Sequence, residues 1–242
     1  MQREEAFFLT DKMKETLEKP SNKAFYCPYC KRLTISPGNI KDGIIMCAIC
    51  ASFERQRFLY FVYDDFFFNT EKPLKILHFA PEKSIYNTIC SNKNIDYVCC
   101  DLNPENFPFV EKIQREDGMH LSFNDKTFDF IIHNHILEHV PNDRDFIQET
   151  LRVLKNDGKI IASFPYAPDK LSDETIVDPV ERAKQYGQED HVRLYGSDFM
   201  EKLTGTNYNI EIINTNEYLT PKELAYIKGE RLDDMFIMLY NQ

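Results

Sequence analysis

The stretch LKILHFAPEKSIYNTICSNKNIDYVCCDL, residues 74–102, decides the fold. It begins with an apolar run (LKILHF), continues with an amphipathic run (EKSIYNTICSN) and ends with a second apolar run (DYVCCDL). The same alternation returns further along the chain as FDFIIHN, RDFIQETLRVLK and GKIIASFP. Short apolar runs that alternate with amphipathic runs of these lengths are typical of βαβ units. The sequence therefore predicts an α/β protein with a parallel sheet and helices on both faces.

The flanking segments complete the predicted organisation. Residues 1–23 predict an N-terminal amphipathic helix, and residues 24–70 predict a small cysteine-containing module with a docking helix. Residues 71–242 form the predicted sheet domain, which two late runs complete, YNIEIIN and MFIMLYN, the second of which can run antiparallel. Within this domain, residues 166–195 are polar and long for a connection, which is typical of a functional lid.

Composition limits the classes of function. The 242 residues are 43% hydrophobic, which suits one domain with a small appended module. The formal net charge of −10 argues against nucleic-acid binding, since that affinity comes from Lys and Arg on phosphates. No apolar run approaches the ~20 residues that a membrane span needs, and the start does not read as a signal peptide. We expect a cytoplasmic protein with a small-molecule substrate, and the oligomeric state is left open.

Four of the seven cysteines form two Cys-x-x-Cys pairs. Cys27 and Cys30 are separated by sixteen residues from Cys47 and Cys50, which is the spacing of two knuckles on one zinc ion. Four thiolates fill a tetrahedral shell and leave no position for water, so the predicted zinc is structural. The alternative is a set of four buried free thiols.

The candidate cofactor site lies after the predicted strands, because open parallel sheets bind ligands outside the carboxyl ends of their strands. Asp101 is placed to accept both hydroxyls of a ribose, and Asp117 to accept an adenine amino group. No Gly-x-Gly-x-x-Gly is present, which disfavours a dinucleotide with its pyrophosphate. The full set of candidates is Phe79, Ala80, Pro81, Glu82, Asp101, Leu102, Asp117, Gly118, Met119 and Asn134.

From Cys27 to Leu203 the chain resembles bacterial zinc-ribbon class I methyltransferases, which are associated with surface-glycan and small-metabolite modification. Five motifs carry the resemblance: CAICASFERQRFLYFVY, ILHFAPEKS, YVCCDL, FDFIIHNHILEHVPNDRDFIQETLRVLKNDGKI and ERAKQYGQEDHVRLYG. The resemblance implies a Rossmann-like class I methyltransferase sheet behind a zinc ribbon, with S-adenosylmethionine as cofactor. It also implies that the turn from His78 to Glu82 contacts the methionine end, where the class usually has Asp-x-Gly-x-Gly.

Histidines are the best candidates for a catalytic base. His135 and His139 follow the fourth predicted strand, and His191 lies in the insertion next to Asp190, a carboxylate that can fix the tautomer of an imidazole. For His135, packing at a helix start is an equal alternative. The predicted substrate contacts are Glu138, Arg193 and Tyr195, of which the guanidinium can hold an anionic group.

The sequence thus predicts methyl transfer from S-adenosylmethionine to an O or N atom of a small metabolite, of which phosphorylated and sugar-linked compounds are examples. One alternative is a nucleic-acid methyltransferase that uses the ribbon as reader, and another is a non-catalytic module that binds the cofactor or a partner. The string His135-Ile-Leu-Glu138-His139 also matches an H-x-x-E-H metalloprotease pattern, but it follows a strand directly and precedes Pro141.

Overall fold

The computed structural model describes residues 9–19, 24–35, 45–204, 208–229 and 233–242. The chain divides into two compact units. The cysteine unit takes its residues from Met1–Glu71, Glu82–Lys93 and Asn214–Leu232. The sheet unit takes its residues from Lys72–Pro81, Asn94–Ile213 and Asp233–Gln242.

Ten strands occur in the described residues. They are β1 (Ala24–Cys27), β2 (Arg32–Ile35), β3 (Leu74–Phe79), β4 (Ile95–Asp101), β5 (Ile113–Arg115), β6 (Phe128–Asn134), β7 (Leu154–Ala167), β8 (Tyr195–Gly196), β9 (Tyr208–Ile212) and β10 (Asp234–Asn241).

Eight α-helices occur in the same part of the chain. They are α1 (Asp11–Leu17), α2 (Glu54–Tyr63), α3 (Lys83–Cys90), α4 (Asp143–Val153), α5 (Pro179–Gln185), α6 (Phe199–Leu203), α7 (Thr215–Tyr218) and α8 (Pro221–Tyr226). A π-helical turn, Asp64–Phe68, extends α2, and a 3-10 turn covers Pro104–Asn106.

The main sheet has the strand order β5-β4-β3-β6-β7-β10-β9, and β8 pairs with the end of β7. Strands β5, β4, β3, β6 and β7 are parallel, whereas β10 runs antiparallel to both β7 and β9. Chain order proceeds outward from β3 through β4 to β5 and from β6 to β7, and the last strand, β10, then lies between β7 and β9. The predicted α/β Rossmann-like sheet is therefore confirmed, and its strand order reverses between β3 and β6.

The core of the sheet unit explains why these runs become strands. The last four residues of β3 are fully buried, as are the last four of β6, which is the pattern of strands covered on both faces. Helix α4 begins at Asn142, whose side chain accepts hydrogen bonds from the backbone N–H of Arg144 and Asp145. Its apolar face buries Phe146 and Ile147 in the same core.

The N-terminal helix prediction is only partly described. Helix α1 covers Asp11–Leu17, and the Thr10 side chain caps it by accepting from the Met13 N–H. The remaining parts of the predicted helix segment, residues 1–8 and 20–23, lie outside the described residues.

The cysteine unit is built around a buried arginine. Arg57 lies on α2, is fully buried, and stacks its guanidinium on the Phe25 ring at 4.3 Å. Its Nη1 donates to the carbonyls of Ile45 (2.9 Å) and Ser52 (2.8 Å), and its Nε donates to the carbonyl of Ile227 (2.7 Å). One side chain therefore joins the cysteine-bearing segment to the turn after α8.

We expect Arg57→Ala to lower the free energy of unfolding by about 3 kcal/mol, because it removes the side-chain donor to the carbonyls of Ile45 and Ile227 and leaves a cavity beside Phe25. Chemical denaturation of the zinc-loaded protein measures this. Arg144→Ala is the matched control, since this arginine is exposed and its loss is expected to cost less than about 0.5 kcal/mol. Equal stability of the two variants would contradict the assigned role of Arg57.

Candidate functional site

The end of β3 forms the first wall of the candidate cofactor site. Phe79 is buried and contacts the Phe146 ring, with the ring centroids 5.1 Å apart. Ala80 has a left-handed backbone (φ +45°), and its N–H donates to the Cys100 carbonyl of β4 at 3.0 Å. Pro81 follows, and the chain then enters α3, where Glu82 is the N-cap residue and belongs to the cysteine unit.

Asp101 ends β4, the strand next to β3. Its side chain is half-buried and its Oδ1 accepts a hydrogen bond from the Asn103 N–H at 2.7 Å. Burial raises the pKa of the Asp101 carboxyl, although the bond from Asn103 opposes this. The bond from Asn103 is the one hydrogen bond to the Asp101 carboxylate among the described residues. Leu102, beside it, is 58% exposed, which is high for a leucine and suits a residue that a ligand covers.

The segment after β5 makes a tight turn against the core. Asp117 Oδ1 accepts from the Met119 N–H at 2.9 Å, and Met119 packs partly buried on the core. A Cβ at Gly118 would lie 2.2 Å from the Phe146 ring, so only glycine lets the backbone come this close. The turn therefore rests on the same aromatic ring that contacts Phe79.

These three segments lie at one edge of the sheet, because β5, β4 and β3 are neighbours and parallel. Asn134 ends β6, the next strand, and its Oδ1 accepts from the Ser163 hydroxyl at 3.2 Å. The predicted cofactor residues of the sheet unit thus occupy the carboxyl ends of four adjacent strands, next to the reversal of strand order. Open α/β sheets bind their ligands at this position.

The turn after β6 carries the first group of predicted catalytic residues. His135 has a left-handed backbone (φ +54°) and lies between two carboxylates. Its Nδ1 is 3.1 Å from Glu138 Oε1, and its Nε2 is 3.1 Å from Asp234 Oδ1 on β10. Asp234 was not identified from the sequence, since a strand more than ninety residues away supplies it.

The structure brings His139 and His191 together. Their ring centroids are 4.7 Å apart with the rings nearly perpendicular. His139 Nδ1 is 3.3 Å from Asp190 Oδ2, and His191 Nδ1 is 2.7 Å from the Tyr186 carbonyl. His191 is buried, and this burial lowers its pKa, which favours the neutral imidazole. Two of the three candidate catalytic bases, His139 and His191, therefore lie in one spatial cluster.

Two of the predicted substrate contacts are engaged within the protein. Arg193 is 5% exposed, and its Nη atoms donate to the carbonyls of Leu137, Val140 and Pro141. Tyr195 is 2% exposed, and its hydroxyl donates to Asp143 Oδ2 at 2.6 Å. Both side chains hold the turn after β6 against the insertion, and their contact with a substrate stays a prediction.

The four cysteines form one cluster at the two turns of the cysteine unit. Their sulfur atoms lie within 4.8 Å of one another. The Sγ atoms of Cys27 and Cys50 are 3.6 Å apart, and those of Cys30 and Cys47 are 3.9 Å apart. Sulfurs on a tetrahedral zinc at ~2.3 Å stand about 3.8 Å apart, so the cluster fits this ion.

The two turns of this cluster have matching backbones. Lys31 and Ala51, which directly follow the second cysteine of each pair, both have left-handed φ angles, +53° and +60°. The hydrogen bond from the Cys27 thiol lowers the pKa of Cys50 to about 4 and raises that of Cys27. The cluster cannot ionise fully without a nearby positive charge, which a bound dication supplies.

Sequence reasoning also missed His133, a fully buried histidine on β6. Among the described residues, neither of its ring nitrogens has a hydrogen-bond partner, and its ring contacts Phe146 edge-on at 5.1 Å. Burial lowers its pKa to about 3. The only signal in the sequence is a histidine inside the apolar run FDFIIHN.

Part of the sheet unit is similar to a known protein family. Residues 78–162 match the family model described as a methyltransferase domain. The matched segment runs from the end of β3 into β7, so the chain is similar to methyltransferase domains over this part of the sheet unit. In the described residues, no helix is both long and apolar enough to cross a membrane.

Individual relatives are distant. Demethylmenaquinone methyltransferase of Lactobacillus johnsonii (strain CNCM I-12250 / La1 / NCC 533) is 24% identical over 156 residues, which are 64% of this chain and 57% of that protein. The alignment thus spans little more than half of the curated relative. The YcgJ protein from Bacillus subtilis shares the fold with a TM-score of 0.51 and 15% identity, covering 77% of this chain and 96% of that one.

A further solved structure shows that the fold does not set the reaction. The (4+2)-cyclase SpnF has a TM-score of 0.52 at 13% identity, covering 78% of this chain and 83% of that one. That protein is named as a cyclase. The chemistry of the present protein must therefore be argued from its own site.

His133 predicts a pH dependence of stability. The unfolded chain binds a proton at this histidine below pH ~6.5, but the folded protein does not until about pH 3. Stability from this group is present above pH ~6.5 and is lost as the pH falls. Between pH 7.5 and 5.5 we expect a loss of about 1 kcal/mol that is absent in His133→Leu.

Denaturant unfolding at both pH values measures this difference. His120→Gln is the control, because His120 is exposed and its removal is expected to leave the pH dependence unchanged. An identical pH dependence in the parent and in His133→Leu would refute the assignment.

Proposed function

We propose that the protein transfers the methyl group of S-adenosylmethionine to an O or N atom of a small metabolite, with phosphorylated and sugar-linked compounds as the favoured class. The observation that carries this proposal is Asp101 at the end of β4, with one carboxylate oxygen already bonded to Asn103 and the other available. A carboxylate at this position can accept the ribose hydroxyls of the cofactor.

The other cofactor contacts follow from the same edge of the sheet. Asp117 accepts the adenine amino group and Met119 covers the ring, while Gly118 lets the turn that carries both residues pack against Phe146. Phe79, Ala80 and Pro81 contact the methionine end. Leu102 and Asn134 complete the site.

Methyl transfer from a sulfonium is an in-line displacement, in which alignment supplies much of the acceleration. The acceptor oxygen or nitrogen forms a bond to the methyl carbon while the carbon–sulfur bond breaks, and S-adenosylhomocysteine leaves. A base is needed where the acceptor keeps its proton. His135, His139 and His191, with Asp190, are the side chains that hold the acceptor or receive this proton in our proposal.

The zinc ribbon is part of the proposal as a stabilising element. The distances between the four sulfurs support a closed tetrahedral site without an open position, so the ion holds the two turns together and takes no part in methyl transfer. The net charge of −10 supports a metabolite acceptor over a nucleic acid.

We expect calorimetric titration of the zinc-loaded protein to show micromolar binding of both S-adenosylmethionine and S-adenosylhomocysteine. Asp101→Ala should weaken this binding by about 2 kcal/mol, roughly 30-fold, because hydrogen bonds to a charged group are lost. Asp96→Ala is the matched control, since Asp96 is exposed near the opposite end of β4. An intact protein that binds neither compound would overturn the proposed function.

Substitution of two of the four clustered cysteines tests whether the cluster binds zinc. We expect Cys27→Ser/Cys50→Ser to lose the tightly bound zinc, about one ion per chain by elemental analysis, and to unfold at a lower temperature. Cys90→Ser is the control, because this exposed cysteine lies on α3, outside the cluster. Retention of zinc by the double variant would show that the ion is bound elsewhere.

A further inference from the structure

Three side chains with metal-binding atoms converge at the carboxyl edge of the sheet unit. Glu138 and His139 lie in the turn after β6, and His191 lies in the segment after α5. One ligand atom from each falls within 4.8 Å of the others. Atoms bound to one ion at ~2.1 Å stand up to about 4.2 Å apart, so small side-chain movements are enough to bring all three onto one ion.

The carboxylate of this cluster is buried without adequate compensation. Glu138 is 1% exposed, and neither of its oxygens accepts a hydrogen bond from any described residue. His135 Nδ1 lies 3.1 Å from Oε1 but lacks the alignment of a hydrogen bond, and this histidine also faces Asp234. A buried carboxylate is strongly destabilising unless it is paired or binds a metal.

His191 contributes a ring nitrogen to the same cluster of possible metal ligands. Its Nδ1 is 2.7 Å from the Tyr186 carbonyl, which can only accept, so Nδ1 carries the proton and Nε2 carries the lone pair. That Nε2 is buried and has no hydrogen-bond partner in the described part of the chain. A buried lone pair beside a buried carboxylate is the donor set that a cation binds.

The partners around the two histidines are those of metal ligands. A histidine that binds a metal through one nitrogen usually donates the other N–H to a carboxylate or a backbone carbonyl, which fixes the ring. His191 has the Tyr186 carbonyl in this role, and His139 has Asp190 at 3.3 Å from its Nδ1. The Val192 N–H also donates to the Glu138 carbonyl at 2.8 Å, which ties the two ligand-bearing segments together.

The ligand types select the kind of ion. Mg²⁺ and Ca²⁺ prefer oxygen ligands, whereas two imidazoles with one carboxylate suit first-row transition metals such as Mn²⁺, Fe²⁺ and Zn²⁺. Three protein ligands do not complete a coordination shell of four to six positions, so open positions are left for an exogenous oxygen.

We propose that Glu138, His139 and His191 bind one divalent first-row transition-metal ion, distinct from the four-cysteine zinc, whose open positions hold oxygen atoms of the methyl acceptor. The metal site stands on the geometry alone. The statement that the ion holds the methyl acceptor rests on the proposed function. In this arrangement His139 and His191 bind the acceptor through the ion and do not take its proton themselves.

Mn²⁺ is the probe, because four thiolates of a zinc-filled ribbon do not compete for it. The free-ion signal in electron paramagnetic resonance should fall by about one equivalent per chain when zinc-loaded protein is added. We expect Glu138→Gln and His191→Ala to weaken binding at least tenfold, and His120→Ala, at an exposed histidine, to leave it unchanged.

A third variant tests the metal site without changing a buried residue, so a loss of binding in it does not reflect unfolding. Asp190→Asn changes only an exposed partner of His139, and outer partners of this kind are worth about 10- to 100-fold in metal affinity. Glu189→Gln is its matched control, since it alters the neighbouring exposed carboxylate. Weaker Mn²⁺ binding in Asp190→Asn but not in Glu189→Gln supports the site.

Titration of S-adenosylmethionine into the same samples separates the two proposals. Mn²⁺ binding without cofactor binding would leave the metal site standing and overturn the proposed function. Cofactor binding by a protein that takes up no Mn²⁺ or additional Zn²⁺ would overturn the metal site, as would Mn²⁺ binding that none of the ligand variants weakens.

Discussion

Parallel pairing of β3 with β4 on one side and with β6 on the other is the constraint on which the site depends. The register places Phe79 opposite Cys100 and also opposite His133, so the three strands end at nearly the same level. Residues that directly follow parallel strands are therefore neighbours in space although they are far apart in sequence. Asp101 and Asn134 gain their positions from this pairing and not from local sequence.

Arg193 is the second organising contact, because it joins the segment after α5 to the turn after β6. Its guanidinium binds carbonyls of the turn between residues 137 and 141, and its Nε lies 3.5 Å from Asp143 Oδ2 at the start of α4. This turn carries Glu138 and His139, and the segment that carries Arg193 also carries His191. Through these contacts with backbone carbonyls, Arg193 thus fixes the spacing between Glu138, His139 and His191.

The sequence predicted the sheet because its signal is local and repeated. Apolar runs such as LKILHF and FDFIIHN predict strands without further information, and the spacing of the two Cys-x-x-Cys pairs predicts the cysteine cluster. The partners of the candidate residues were harder to predict, since they depend on tertiary placement. Asp234 reaches His135 from an antiparallel strand at the far end of the chain, and Arg193, which has the chemistry of an anion ligand, is used on backbone carbonyls. No periodicity encodes these pairings.

Charge and ligand softness would keep the proposed zinc site and the proposed second metal site chemically distinct. The ribbon offers four polarisable sulfurs in a closed shell, which suits Zn²⁺ and excludes an ion that needs oxygen or nitrogen ligands. The cluster after β6 offers one carboxylate and two imidazoles, and the Tyr186 carbonyl and Asp190 lie next to the Nδ1 atoms of the two rings. Because the carboxylate is buried, an ion there is stabilised by a charge that water cannot screen, and the same ion removes the cost of burying Glu138. A buried acid beside two oriented imidazoles is thus better explained by a ligand that completes it than by packing alone.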